Sequence, residues 1–441
     1  MKQSKHNIYY SPKEVRTILE RSIDTALDGL KGYCNDPVSD FTRCRKLPAR
    51  TLIECIMSFS NYSSIGELSH FFVGQGEMPS ASALSQRRQL LDPDIFKRIN
   101  NLFVSAFDDH TTINGYHILA QDGSDVNIPF MDDKTKTEKH DAKSFCQYHV
   151  NALYDCINKV FYDWSIDAAS KKREVNALIS ILKDRNYPQN SIFTADRGYE
   201  SYNLMAHFIE NDTKFVIRVK DIHTKSGLMT NIKTEEGAFD MRINRTLTSL
   251  QTKEIKADKE KYIFVPSTSN FDFLDETRDL YDLSFRAVRF KISEDTYETV
   301  VTNLSEEEFK TEDFKELYHY RWNEETAFNK LKYTIGLVYF HARKRKLIQQ
   351  EINAAFLMYN VSEVIIRNID LKKNKKPKLE YDYKPNFSSA VTNIRLYLRK
   401  KISMKELIHR IKKFLVGQRP ERSFERNIKG QSCKPLNYRT S

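Results

Sequence analysis

His117-Ile118-Leu119-Ala120-Gln121-Asp122 reads as an apolar strand that ends in a carboxylate, with Gly123-Ser124 directly behind it. Ser191-Ile192-Phe193-Thr194-Ala195-Asp196 repeats the pattern 74 residues later and runs into Arg197-Gly198-Tyr199. Between the two lie β-rich runs at 146–154 and 159–167, then a helical stretch over Lys171–Arg185. A helix near 201–210 and the strand KFVIRVK (214–220) follow. Three strands, a helix, a strand, a helix and a strand predict a mixed α/β sheet with helices packed against it. Strand ends in such sheets collect functional groups, because the sheet fixes the backbone while the loop stays open.

Downstream, residues 221–296 alternate short β-prone runs (FDMRI, KYIFVP, LSFRAVRFKI) with polar turns, which predicts an inserted β-rich subdomain. TYETVVTNL (296–304) resumes strand character. The next segment reads as one helix and carries Tyr318, Arg321, Glu325 and Lys332 at offsets 0, 3, 7 and 14. At about 100° per residue the four fall within roughly a 60° arc. Leu317, Ala327, Phe328, Leu331 and Ile335 take the neighbouring arc and predict a core face. The polar stripe fits a solvated helix face with an i,i+4 ion pair. It equally fits a site where a carboxylate holds metal and cations hold phosphate.

A second long helix is expected over 345–367. Upstream, residues 13–110 read as helical, opening after Ser11-Pro12 with Val15, Ile18, Leu19, Ile23, Leu27 and Leu30 at helical spacing. Further helices fit 48–60 and 64–73, and another starts near Ser80 or Ser82 with Arg87 and Arg88. Those arginines suit either an ordinary amphipathic helix or one lying along DNA. The last 71 residues predict helices around 388–398 and 403–415 and an extended basic end.

The composition is globular, 40% hydrophobic, with no apolar run near 18 residues and no signal-like N-terminus. A cytosolic protein without a transmembrane helix is the expectation. Six scattered cysteines without a CxxC pair predict free thiols rather than a disulfide or zinc framework. The formal charge is +11, yet Leu371–Ser441 alone holds 20 Lys+Arg against 5 Asp+Glu. The basic excess therefore sits in the C-terminal region, where a polyanion, a membrane surface or plain solvent could face it.

Asp122, Asp196 and Glu325 come from three separate elements and offer only oxygen, the donor that hard cations such as Mg²⁺ take. Each has a structural alternative. Asp122 could cap the turn at Gly123-Ser124, with Asp125 as its competitor on the opposite face. Asp196 could cap the helix that follows. His140, His149 and His207 read as ordinary histidines rather than ligands.

Asp122-Gly123-Ser124, Asp196-Arg197-Gly198-Tyr199 and the Y-x2-R-x3-E-x6-K run together resemble the DDE transposases of insertion-sequence family 4. SASALSQRRQLL (80–91), VVTNLSEEEF (300–309) and RPERSFERN (419–427) extend the resemblance along the whole chain. The resemblance implies an α/β, RNase H-like catalytic core split by a β-strand-rich insertion and flanked by helical N- and C-terminal regions. It divides the chain into a helical DNA-binding domain (1–112) and a first core part (113–220). The insertion (221–296), a second core part with the glutamate helix (297–370) and a basic C-terminal region (371–441) complete it.

By the same resemblance, Asp122, Asp196 and Glu325 are the catalytic metal ligands, while Tyr318, Arg321 and Lys332 contact DNA. Mg²⁺ is the implied cofactor, with Mn²⁺ as its substitute. Double-stranded DNA, as transposon ends and target, is the implied partner, bound by a homodimer. The implied activity is cut-and-paste transposition. An RNase H-like nuclease without strand transfer, or a catalytically silent DNA-binding relative, stands as the alternative.

Overall fold

Ser11 opens the first helix, α1 (Pro12–Asp28), through a reciprocal cap. Its hydroxyl accepts the Glu14 N–H at 3.3 Å, and the Glu14 carboxylate accepts the Ser11 N–H at 2.7 Å. The structure is a computed structural model. It describes residues 1–418 except 5–8, 44–45, 75, 140–141, 172, 223, 225, 267, 270, 295 and 372–381. The RPERSFERN ending, His140, Cys44 and Cys433 lie outside the described residues.

Four more N-terminal helices follow: α2 (Ala49–Met57), α3 (Ser64–Phe72), α4 (Ala81–Leu90) and α5 (Asp94–Val104). Then come strands β1 (His117–Ile128), β2 (Lys136–Lys139), β3 (Ala142–Asp155) and β4 (Val160–Ala168). Helix α6 (Glu174–Asp184), strand β5 (Ser191–Ala195), helix α7 (Tyr202–Glu210) and strand β6 (Lys214–Val219) complete the first half. The stretch 221–296 supplies β7 (Phe239–Thr248), a short helix α8 (Lys253–Ala257), β8 (Tyr262–Phe264) and β9 (Leu280–Ser293). The chain continues through β10 (Thr296–Thr302), α9 (Asp313–His319), α10 (Trp322–Lys330), α11 (Arg345–Arg367), α12 (Phe387–Leu398) and α13 (Met404–Lys413).

Ten strands form one mixed sheet. β1, β3 and β4 are an antiparallel meander, while β5 and then β6 run parallel to β1 on its other side. The resulting order β4-β3-β1-β5-β6 is that of an RNase H-like fold, as expected. The strands of 221–296 do not stand apart from it. β10 pairs antiparallel with β6, β9 with β10 and β7 with β9, so they extend the same sheet by its β6 edge.

Two local expectations are corrected. β1 does not stop at Asp122 but continues to Ile128, paired with β3 throughout. What ends near Asp122 is the parallel neighbour, since β5 finishes at Ala195. The segment read as one helix is two helices and a π-turn (Leu331–Ile335). Around Tyr320 and Arg321 the backbone bonds tighten to i→i+3, with Arg321 N–H on Tyr318 O (3.2 Å) and Glu324 N–H on Arg321 O (3.0 Å). That tighter winding advances each residue by about 120°, so the ideal helical arc holds only approximately. The core face itself is as expected: Leu317, Ala327, Phe328, Leu331 and Ile335 are all buried.

α11 is the axis of the helical layer, with almost every side chain from Leu347 to Ile365 buried. It packs on α1, α2, α4, α5 and α12, and on β4 of the sheet. Trp164 of β4 stacks on Phe356 (4.4 Å between centroids) and donates its indole N–H to Asn353 at 2.8 Å. Arg88 of α4 is buried there as well. Its guanidinium meets Glu351 at 2.7 Å and the Leu347 carbonyl at 2.8 Å. Arg88 therefore fastens the N-terminal helices to the core and does not face a partner. The four described cysteines, Cys34, Cys55, Cys146 and Cys156, are free, the last three buried.

Candidate active site

Register brings the two aspartates together. β1 and β5 run parallel with His117 opposite Ser191 and Gln121 opposite Ala195, so the next positions along the two chains are Asp122 and Asp196. Parallel neighbours lie about 4.8 Å apart, and paired positions point to the same face. The β1–β5 pairing ends at Gln121 and Ala195, one residue before the two carboxylates. Each accepts a nearby backbone N–H. Asp122 takes that of Gly123 at 2.8 Å, and Asp196 takes that of Gly198 at 2.7 Å. Asp196 thus caps the single turn Arg197–Tyr199, whereas α7 is capped by Ser201.

α10 packs on β1 and adds the third acid. Glu325 lies 3.1 Å from one terminal nitrogen of Arg321, whose other terminal nitrogen lies 3.9 Å from Asp122. The expected i,i+4 pair is therefore present, but not on a solvated face, because the Arg321 side chain is 5% exposed. Tyr318 is buried beneath it, its ring 5.6 Å from the guanidinium. Lys332, on the π-turn, is half-buried. Burial lowers its ammonium pKa, against the pull of Asp125 and Asp122, which places it within their electrostatic reach. All six residues singled out in the sequence converge on this end of β1, whereas Trp322 is 43% exposed.

The charges are unbalanced. Burial pushes the Asp122 carboxyl up to about 6; Gly123 N–H and Arg321 oppose this, while Asp196 and Glu325 add to it. Burial also lifts the Tyr318 phenol above its usual range. The Arg321 guanidinium is the reverse case. Burial weakens it, yet Tyr318, Asp122 and Glu325 keep it firmly protonated. The Tyr318 hydroxyl and Arg321 Nε are buried without a hydrogen-bond partner. A cation beside the acids and a phosphate beside Arg321 would answer these imbalances. Among the described residues no three His, Cys, Asp or Glu side chains converge tightly enough to hold one ion. The fit is with oxygen donors that share ions with a phosphate, the manner in which Mg²⁺ is usually bound.

Sequence reasoning missed three neighbours. Glu324 is fully buried beside the Asp122 backbone N–H, and burial, with the Asp122 charge adding to it, raises its pKa well above the usual range. The sequence carries no signal for it, since a glutamate beside Glu325 reads as part of the polar face. The other two are His149, read as ordinary, and Glu174, which was not singled out. His149 is buried with Nδ1 2.7 Å from Asp125 and Nε2 3.1 Å from Glu174. His207 is a core histidine paired with Asp272 at 2.7 Å.

Asp122 in β1, Asp196 just past β5 and Glu325 in α10 thus set three carboxyls at one end of an RNase H-like sheet. The chain belongs to the family described as "Transposase DDE domain", which matches residues 113–361. Among solved structures it is similar to the piggyBac transposase synaptic complex with hairpin DNA. The two are 12% identical, with a TM-score of 0.47 over 96% of this chain and 90% of that one. No curated protein matches the chain. Among the described residues no helix is long and apolar enough to cross a membrane.

Proposed function

We propose that this transposase belongs to insertion-sequence family 4 and performs cut-and-paste transposition. It would hydrolyse phosphodiesters at element ends and join the freed 3′-hydroxyls to target DNA. The observation that carries this reading is the β1–β5 register that sets Asp122 beside Asp196, with Glu325 tied to Asp122 through Arg321. Asp122, Asp196 and Glu325 would hold Mg²⁺, or Mn²⁺ in its place. Two such ions, when bound, supply an activated water or hydroxyl and stabilise the leaving oxygen.

The chain's own residues supply the rest. Arg321 keeps Glu325 aimed at the site and offers its fork to a backbone phosphate, as a guanidinium does best. Tyr318 and Lys332 flank it, one with a phenol and one with a point charge. Residues 1–112 would read the element's terminal repeats, and the basic C-terminal region would add phosphate contacts. Joining two ends calls for a homodimer on DNA, in keeping with a cytosolic, nucleoid-associated bacterial protein.

The test is to incubate the protein, beside its Glu325→Gln variant, with DNA spanning the gene's own flanks and Mg²⁺. End-specific cleavage followed by 3′-hydroxyl joining, absent in the variant, is the expected result. Cleavage without joined products would identify a plain nuclease. Sequence-specific binding with no cleavage in Mg²⁺ or Mn²⁺ would identify a silent DNA-binding relative.

A further inference from the structure

We propose that Glu174 and His149 form a brace behind the two aspartates, and that Glu174 is a positioning residue for the acidic centre. This rests on the metal-site reading above. Glu174 is the first residue of α6, a helix that packs against β1 and against the turn Arg197–Tyr199. Its Oε1 lies 3.1 Å from Nε2 of His149, and Nδ1 of that histidine lies 2.7 Å from Asp125. Asn151 Oδ1 is a further neighbour of Nε2 at 3.1 Å. His149 stands opposite Asp125 across the β1–β3 ladder and is fully buried, so the imidazole has no room to turn. A glutamate on a helix end would ordinarily sample several rotamers; here strand-borne groups fix it.

The two glycines behind the aspartates show what the brace touches. A Cβ at Gly123 would run into His149 Nε2 and stand 2.9 Å from Glu174 Oε1. A Cβ at Gly198 would stand 3.0 Å from Asp196 Oδ1 and 3.5 Å from Glu174 Oε2. Neither glycine has a positive φ; Gly123 is required for room, and a side chain at Gly198 would press on Asp196. One carboxylate thus lies beside both glycines, an oxygen to each. Gly123 in β1 and Gly198 in the turn carry the N–H groups that hold Asp122 and Asp196. Displacing Glu174 would loosen both ligands at once, and its negative charge adds to the pull on a cation.

The experiment uses the full chain and follows Mn²⁺ binding by electron paramagnetic resonance, with thermal unfolding in the absence of metal alongside. Glu174→Gln is expected to weaken Mn²⁺ binding about tenfold with an unchanged melting temperature, and Glu174→Asp to restore part of the loss. Equal Mn²⁺ affinity in wild type and Glu174→Gln would overturn the brace. So would a lowered melting temperature that accounts for the loss and that Glu174→Asp does not rescue. A wild type that binds no Mn²⁺ would remove the metal-site reading and the brace with it. Wild-type binding weakened by Glu174→Gln, on a protein that cuts no DNA, would sustain the brace and sink transposition.

Discussion

The Arg321 guanidinium lies 3.1 Å from the Glu325 carboxylate one turn along, with the arginine side chain 5% exposed and the glutamate 28%. An exposed pair of this kind contributes about 0–1 kcal/mol. This one is sheltered and shared, because the same guanidinium faces Asp122. It sits between two acids that carry charge of the same sign.

Arg321→Gln should therefore shift the pH dependence of DNA cleavage. Arg321 holds the Asp122 pKa down against burial, so removing it lets that pKa rise above about 6. The acid limb of the pH–rate profile should move to higher pH, with Arg321→Lys only partly restoring it. An unmoved limb in Arg321→Gln would show that the guanidinium does not act on Asp122.

Without metal, Asp122→Asn should stabilise the fold at neutral pH. The folded-state pKa of Asp122 is raised from 3.8 to about 6, so its favourable contribution exists below 3.8 and is lost as pH rises through 6. At pH 7 the ionised carboxylate costs about 2–3 kcal/mol. The asparagine variant should melt higher than wild type in chelator, and Mg²⁺ should raise only the wild-type melting temperature. A variant that melts lower in chelator would contradict the strain assigned to Asp122.

The buried knot of Arg88, Glu351, His341 and Glu67 should carry much of the attachment between the N-terminal helices and α11. Arg88→Ala leaves Glu351 with His341 as its remaining charged partner in the core and should cost about 3 kcal/mol in urea unfolding. Burial pulls the His341 imidazole down, but Glu351 and Glu67 outweigh it and push its pKa up to about 9. A raised folded-state pKa gives stability that is complete below 6.5 and lost as pH climbs through 9. Wild type should lose stability across that window, and His341→Gln should lack the slope.

Gly336 closes the π-turn that carries Lys332, at φ +120°, a conformation that L side chains rarely adopt. Gly336→Ala should cost about 1–3 kcal/mol and press its Cβ to 3.3 Å from Asn61 Oδ1. The check is a paired measurement of melting temperature and DNA affinity against Lys332→Ala. Full wild-type stability in Gly336→Ala would show that the turn relaxes.

By itself the sequence determined whatever depends on neighbours along the chain. Ser11 and Glu14 cap α1 because a capping box needs only four consecutive residues. The order of strands and helices through 117–220 followed from their apolar runs except for the polar strand Lys136–Lys139, and the buried face of Leu317, Ala327, Phe328, Leu331 and Ile335 followed from periodicity. The chemical character of the acids and their order along the chain were legible in the same way. Their proximity was not. Asp122 meets Asp196 only through the register of two parallel strands joined by a long crossover, and Arg321 and Arg88 are buried only because other elements cover them. Glu174, 49 residues from His149's strand partner Asp125, gained its place from helix packing alone. Local sequence sets φ, ψ and periodicity; which face is covered, and by whom, is decided by contacts between distant segments.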